Sequence, residues 1–136
     1  MSKIAINPNA SGTGVVTLTS PNTDSNYTII LPSNDLGTLT DAATITPDFG
    51  TNTNFTVTLA GNRTMANPSN MVVGQSGSIF IIQDSTGSRT LSWGSYWDFI
   101  NGTAPTLTTT ASAIDRIDYI VRTSTSIHTV FSANYS

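Results

Sequence analysis

The 136-residue sequence predicts an all-β fold, and three observations carry that expectation. Thr, Ser and Asn together make up about two in five residues; Thr suits strands, whereas Ser and Asn favour turns and oppose helix interiors. All eight acidic residues are Asp and the one lysine is Lys3, so the side chains that support exposed helix surfaces are missing. Short apolar runs recur between turn clusters, and only 10% of residues are charged, which separates the chain from a disordered Ser/Thr-rich tract.

Taken in order, residues 1–14 are polar, small and glycine-bearing, as in an arm that orders against a partner. Val15 to Thr19 and Tyr27 to Leu31 read as two strands, joined by the turn cluster 20–26 and closed by Pro32. A lone hairpin is marginal in water, so it needs a neighbour. Residues 33–41 read as a connector that bends at Asp35-Leu36-Gly37, and Thr46-Pro47-Asp48-Phe49-Gly50 as a hinge. That divides the chain into an arm and β-hairpin (1–45) and a β-sandwich or jelly-roll-like body (46–136).

Within the body, Asn54 to Leu59 alternates strictly, with Phe55, Val57 and Leu59 inward. Residues 60–63 turn it, and 65–70 form a loop. Ile79 to Ile82, a run of four large apolar residues, predicts a central strand covered on both faces. Asp84 to Ser88 carries turn chemistry, and Leu91 and Trp93 return with period two, so 79–93 reads as a central hairpin. Gly94 to Gly102 is aromatic-rich, Thr106 to Thr110 is β-prone, and Ala111 to Ile114 is the one place for a turn of helix. Ile114 to Arg122 and Ile127 to Phe131 form the last two strands. Six to eight short strands in this span are the density of a sandwich or barrel.

Charge and composition exclude whole classes of function. A net charge of −3 and a pI near 4.5 leave no electrostatic footprint for nucleic acid. Without cysteine there is no disulfide or thiolate site. No apolar run approaches a membrane span, and the N-terminal one breaks too early for a signal peptide, so synthesis in the cytoplasm is expected. Asp115 and Asp118 fall on opposite faces of a predicted strand near Arg116 and Arg122, an arrangement for ion pairing rather than glycosidase chemistry. His128 is the one histidine, and Gly74-Gln75-Ser76-Gly77 lacks the nucleophile-elbow spacing. No enzyme, cofactor or metal site is therefore expected. The strongest binding candidate is the aromatic group Trp93, Tyr96 and Trp97 with Asp98 and Asn101, as a glycan patch or a subunit contact. Filling a core or an interface is the competing use of the same aromatics.

Two blocks of the text are similar to phage virion proteins. Gly61 to Pro68, Gly74 to Gly77, Gln83 to Leu91, Gly102 to Pro105 and Ala111 to Asp115 resemble a β-module of tailed-bacteriophage surface proteins. Gly14 to Pro21 and Ile30 to Pro32, closing on Gly37 to Leu39, resemble a hairpin repeat near the N-termini of phage fibre and head-surface proteins. The resemblance implies a structural protein on the surface of the phage particle. The role expected first is a capsid decoration or cement protein that bridges subunits of the major capsid protein. The alternative is a tail-fibre or tail-spike component that binds a host glycan. For the first role, Ile4, Ile6, Val16, Leu18, Tyr27, Ile29 and Leu31 are the candidate capsid or subunit contacts. A homo-oligomer is expected, a trimer before a dimer.

Overall fold

The computed structural model describes residues 36–135, and over that span the fold is all-β. The strands are β1 (Gly37–Thr38), β2 (Thr44–Ile45), β3 (Asn54–Leu59), β4 (Arg63–Met65), β5 (Ser76–Gln83), β6 (Leu91–Trp93), β7 (Trp97–Asp98), β8 (Ile114–Thr123) and β9 (Ser126–Ser132). A 3-10 turn at Ile100–Gly102 is the one helical element among the described residues. A six-stranded sheet has the order β1-β3-β5-β8-β9-β7, and a three-stranded sheet the order β2-β4-β6.

From β1 to β6 the chain alternates between the two sheets and stacks on itself in parallel. Phe55 of β3 pairs with Gly37 on one side and Ile79 on the other; Met65 of β4 lies between Ile45 and Trp93. A parallel pair cannot be closed by a two-residue turn, so its connection must travel. Here it travels through the opposite sheet, making three short windings like those of a β-solenoid. Beyond β5 the direction reverses: β8 is antiparallel to β5 and returns through Ser124-Thr125 to β9. The β8–β9 hairpin thus separates β7 from β5.

Period-two alternation aims one face of each strand inward. Phe55, Val57, Leu59, Ile79, Ile81, Ile117, Tyr119, Val121 and Ile127 from the large sheet meet Ile45, Met65 and Leu91 from the small one in a single buried cluster. Burying an Ile or Leu side chain contributes about 1.5–3 kcal/mol. On the outer face of the small sheet Thr44, Thr64 and Ser92 stand in register, with Thr64 Oγ1 and Ser92 Oγ 2.8 Å apart.

The corners are tied by short polar side chains. Asp41 of the first winding receives a bidentate pair from Arg63 of the second, at 2.8 and 2.6 Å. Asp84 accepts from the N–H groups of Thr86 and Gly87 and from Arg89. Asp48 accepts from Asn70 and from Gly50 N–H. Gly77 packs so closely that an added Cβ would collide with the Thr53 carbonyl oxygen. The Tyr119 hydroxyl donates to the same oxygen at 2.7 Å, and burial raises its pKa.

Several expectations change. The strands at 79–82 and 91–93 form, but not as a hairpin: they lie in different sheets. The buried amide of Gln83 is the reason. It accepts from Arg89 N–H at 2.8 Å and donates to the Arg89 carbonyl at 3.0 Å, taking the bonds a hairpin partner would have made. β5 is central as expected, although Phe80 and Ile82 on its outer face are only half-buried. The connector and the hinge are part of the sheets and core: Gly37–Thr38 and Thr44–Ile45 are strands, and Phe49 is 1% exposed. Sheet strands therefore lie on both sides of the 45/46 boundary. Residues 110–113 form a turn, with Ser112 at φ 60, and Ile114 opens β8, so the span 111–114 holds no helix. The parallel windings also differ from a jelly roll, which is built of antiparallel strands. The arm and first hairpin lie outside the described residues.

Two outcomes are expected. The buried Asp115 carboxylate accepts from Thr108 N–H, Thr108 Oγ1 and Asn134 N–H, at 2.7, 2.8 and 2.8 Å. Asp115→Ala removes the acceptor of the half-buried Thr108 amide and of the exposed Asn134 amide, and should lower stability by roughly 1–3 kcal/mol in urea unfolding, against less than about 1 kcal/mol for Asp118→Ala. The second outcome concerns acid. Hydrogen bonds from Arg63, Arg89 and Asn70, respectively, hold Asp41, Asp84 and Asp48 below the ordinary value of 3.8. Their contribution is complete above that value and is lost as pH falls through the depressed folded-state values. Thermal unfolding should therefore be flat from pH 7 to 5 and drop below pH 4, less steeply in Asp41→Asn/Asp84→Asn.

Candidate functional site

After β6 the chain makes a ridge from β7 through the 3-10 turn, with a groove on each side. Trp93 ends β6 pointing inward, and Trp97 of β7 is 6% exposed. The two indoles meet edge to face at 5.4 Å, and Trp93 meets Phe99 at 5.0 Å. Trp97 also abuts Phe49 and Tyr119 edge-on, and its Nε1–H donates to the Ala66 carbonyl at 3.0 Å. Such pairs contribute about 0.5–1.5 kcal/mol beyond their buried area. The cluster is thus rigid and rooted in the core.

The groove beside β6 holds about 500 Å³ and is lined by Trp93, Trp97, Phe99, Asp98, Ser92 and Gly102 among others. Trp93 is partly exposed, yet its Nε1–H is buried without a partner among the described residues. An unsatisfied buried donor costs about 1–3 kcal/mol, and such groups concentrate where a fold serves a site rather than itself. Across the ridge, on the outer face of the large sheet, a groove of about 540 Å³ is lined by Ile100, Ile120, Val130, Asp98, Asp118 and His128 among others. Ile100, Ile120 and Val130 are about half exposed or more. Both volumes fall in the range of small-molecule sites.

The sequence-named residues divide. Trp93, Trp97 and Asp98 line the groove beside β6; Tyr96 and Asn101 do not. Tyr96 is half-buried and pairs through its backbone, its N–H donating to Asn67 Oδ1 and its carbonyl accepting from Ile127. Asn101 is exposed in the 3-10 turn at φ 59. Asp98 is exposed: its Oδ2 accepts from Ser126 Oγ at 2.5 Å, and its carbonyl accepts from Thr129 Oγ1. Ile4, Ile6, Val16, Leu18, Tyr27, Ile29 and Leu31 lie outside the described residues. Asp115 and Asp118 face opposite ways, the latter paired with Arg116 at 2.9 Å. Sequence reasoning missed the outer groove. Its signal was present in β8 and β9, where Ile120 and Val130 share the polar-facing register of Asp118 and His128.

Among the described residues no group of three or more His, Asp or Glu is placed to hold a metal ion, and no helix is long and apolar enough to cross a membrane. No curated protein and no solved structure matches the chain. Residues 45–122, from β2 almost to the end of β8, match the model of a family described as "Putative phage tail fibre C-terminal domain".

Proposed function

The chain belongs to this phage tail fibre C-terminal domain family, and on that premise we propose that it binds a host-surface glycan through the ridge at β7. A member of such a family is a virion-associated structural protein. Capsid decoration, the role the sequence suggested first, ranks behind because the matched family is one of tail fibres. The observation that carries the binding reading is the groove in which a partly exposed indole, braced by Trp97 and Phe99, meets Asp98 and Ser92. A flat aromatic stacks on the apolar face of a pyranose, while hydroxyls and carboxylates fix its orientation. No reaction is assigned; the protein acts by attachment.

Trp93→Ala is the test, since Trp97→Ala would hollow the core. On a glycan array, saturable binding by the wild type should fall at least tenfold in Trp93→Ala while thermal unfolding stays cooperative. A wild-type chain that binds no glycan, or a Trp93→Ala variant that binds equally well, overturns the reading.

We also propose that copies associate, with a trimer the first expectation, through the outer face bearing Ile100, Ile120 and Val130. Exposed apolar groups gathered on one face are a usual mark of an interface. Sedimentation should show an oligomer that Ile120→Asp/Val130→Asp converts to monomer. A wild-type monomer at micromolar concentration, or an oligomer unchanged by both substitutions, counts against it.

A further inference from the structure

The electrostatics of the ridge narrow the ligand class. Asp98 lines both grooves, and among the described residues no lysine or arginine lines either. Three of the four arginines are committed elsewhere: Arg63 to Asp41 at 2.6 Å, Arg89 to Asp84 at 2.7 Å and Arg116 to Asp118 at 2.9 Å; the fourth, Arg122, is exposed near the end of β8 and is not part of either lining. His128 is the one basic side chain among the described residues of either groove, and it sits on the outer side in register with Asp98, among Asp118, Ile120 and Val130. Asp118 also accepts from Ser78 Oγ at 2.6 Å, so its carboxylate is largely occupied. The Asp98 carboxylate, by contrast, is exposed and accepts only from Ser126 Oγ among the described residues. The chain as a whole carries a net charge of −3.

A carboxylate only accepts hydrogen bonds. A ligand beside Asp98 must therefore bring donors, and a second carboxylate, sulfate or phosphate there would meet like charge with no lysine or arginine in the described lining of either groove to offset it. We propose that the glycan held along the β7 ridge carries no acidic group and is held at Asp98 through its own hydroxyl or ammonium donors. This rests on the glycan-binding reading and deepens it. Proteins that recognise acidic ligands place arginine or lysine where the acid lies, and these grooves place aspartate there.

The experiment compares matched neutral, amino, and uronate-, sialate- or sulfate-bearing oligosaccharides against the full chain, at low and physiological salt. Trp93→Ala, Asp98→Asn and Asp98→Lys are run beside it. Neutral or amino glycans should bind at least tenfold more tightly than their acidic counterparts. Asp98→Asn should weaken that binding by roughly 10- to 100-fold, and Asp98→Lys should remove the discrimination against acidic glycans. Acidic glycans bound as tightly as neutral ones, with loss in Trp93→Ala, would overturn the charge inference and leave the glycan reading standing. Neutral binding indifferent to Asp98→Asn would also overturn it. No binding to any class would remove both.

Discussion

Each winding depends on the next for its core. One turn through the two sheets presents only a few large apolar side chains inward, Phe55, Val57 and Leu59 from β3 and Met65 from β4 in the second winding. Alone it could not bury them, which is the general condition of stacked repeats. Parallel, in-register pairing removes that exposure by placing Ile79 on Phe55, Ile81 on Val57, and Trp93 on Met65. Register is therefore the constraint on which everything else rests. A slip by one residue would turn each of these side chains outward and bring Thr56, Thr58 and Thr64 inward.

That constraint explains a composition that first reads as merely polar. Each passage between sheets leaves backbone groups without a strand partner, and short polar side chains take them up. Asn62 Oδ1 accepts from Thr90 N–H, Asn67 Oδ1 from Tyr96 N–H, and Asp84 from two consecutive turn amides. Glutamate or lysine would reach past these bonds and lose more side-chain entropy when held. The stack also needs an end, because an open parallel edge invites further pairing. On the β5 side the antiparallel β8–β9 hairpin supplies it, and the outermost strands β1 and β7 are two residues each.

Much of this was legible. Strict alternation located β3, a run of four large apolar residues located β5, and the β-prone stretches at 114–122 and 127–131 located β8 and β9. What could not be read was pairing. Two-residue strands such as Thr44–Ile45 carry no period, and they are recognised only by what lies 20 residues on. The Asp84–Ser88 turn has the local chemistry of a hairpin, and only the long-range fact that Gln83 satisfies Arg89 shows otherwise. At the site the aromatic cluster was visible in composition, but the division of labour within it was not. Whether Trp93 or Trp97 is the one left partly exposed depends on which sheet each belongs to, and residues four apart gave no hint that they belong to different ones.

The place of the candidate site follows from the same topology. Repetition makes a smooth, self-satisfied surface; a cavity forms where repetition breaks. The break here is the insertion of β8 and β9 between β5 and β7, which moves Trp97–Asp98 away from the stack and onto β9. β6 is left as the last rung of the small sheet, paired with β4 on one side only. In a continuing solenoid the next rung would have covered Trp93 as Trp93 covers Met65. Without that rung the indole borders a groove, braced from the side by Trp97 and Phe99 rather than capped from above. The device that ends the fold is thus the one that exposes its aromatic platform, and a fourth winding would close the site as it lengthened the stack.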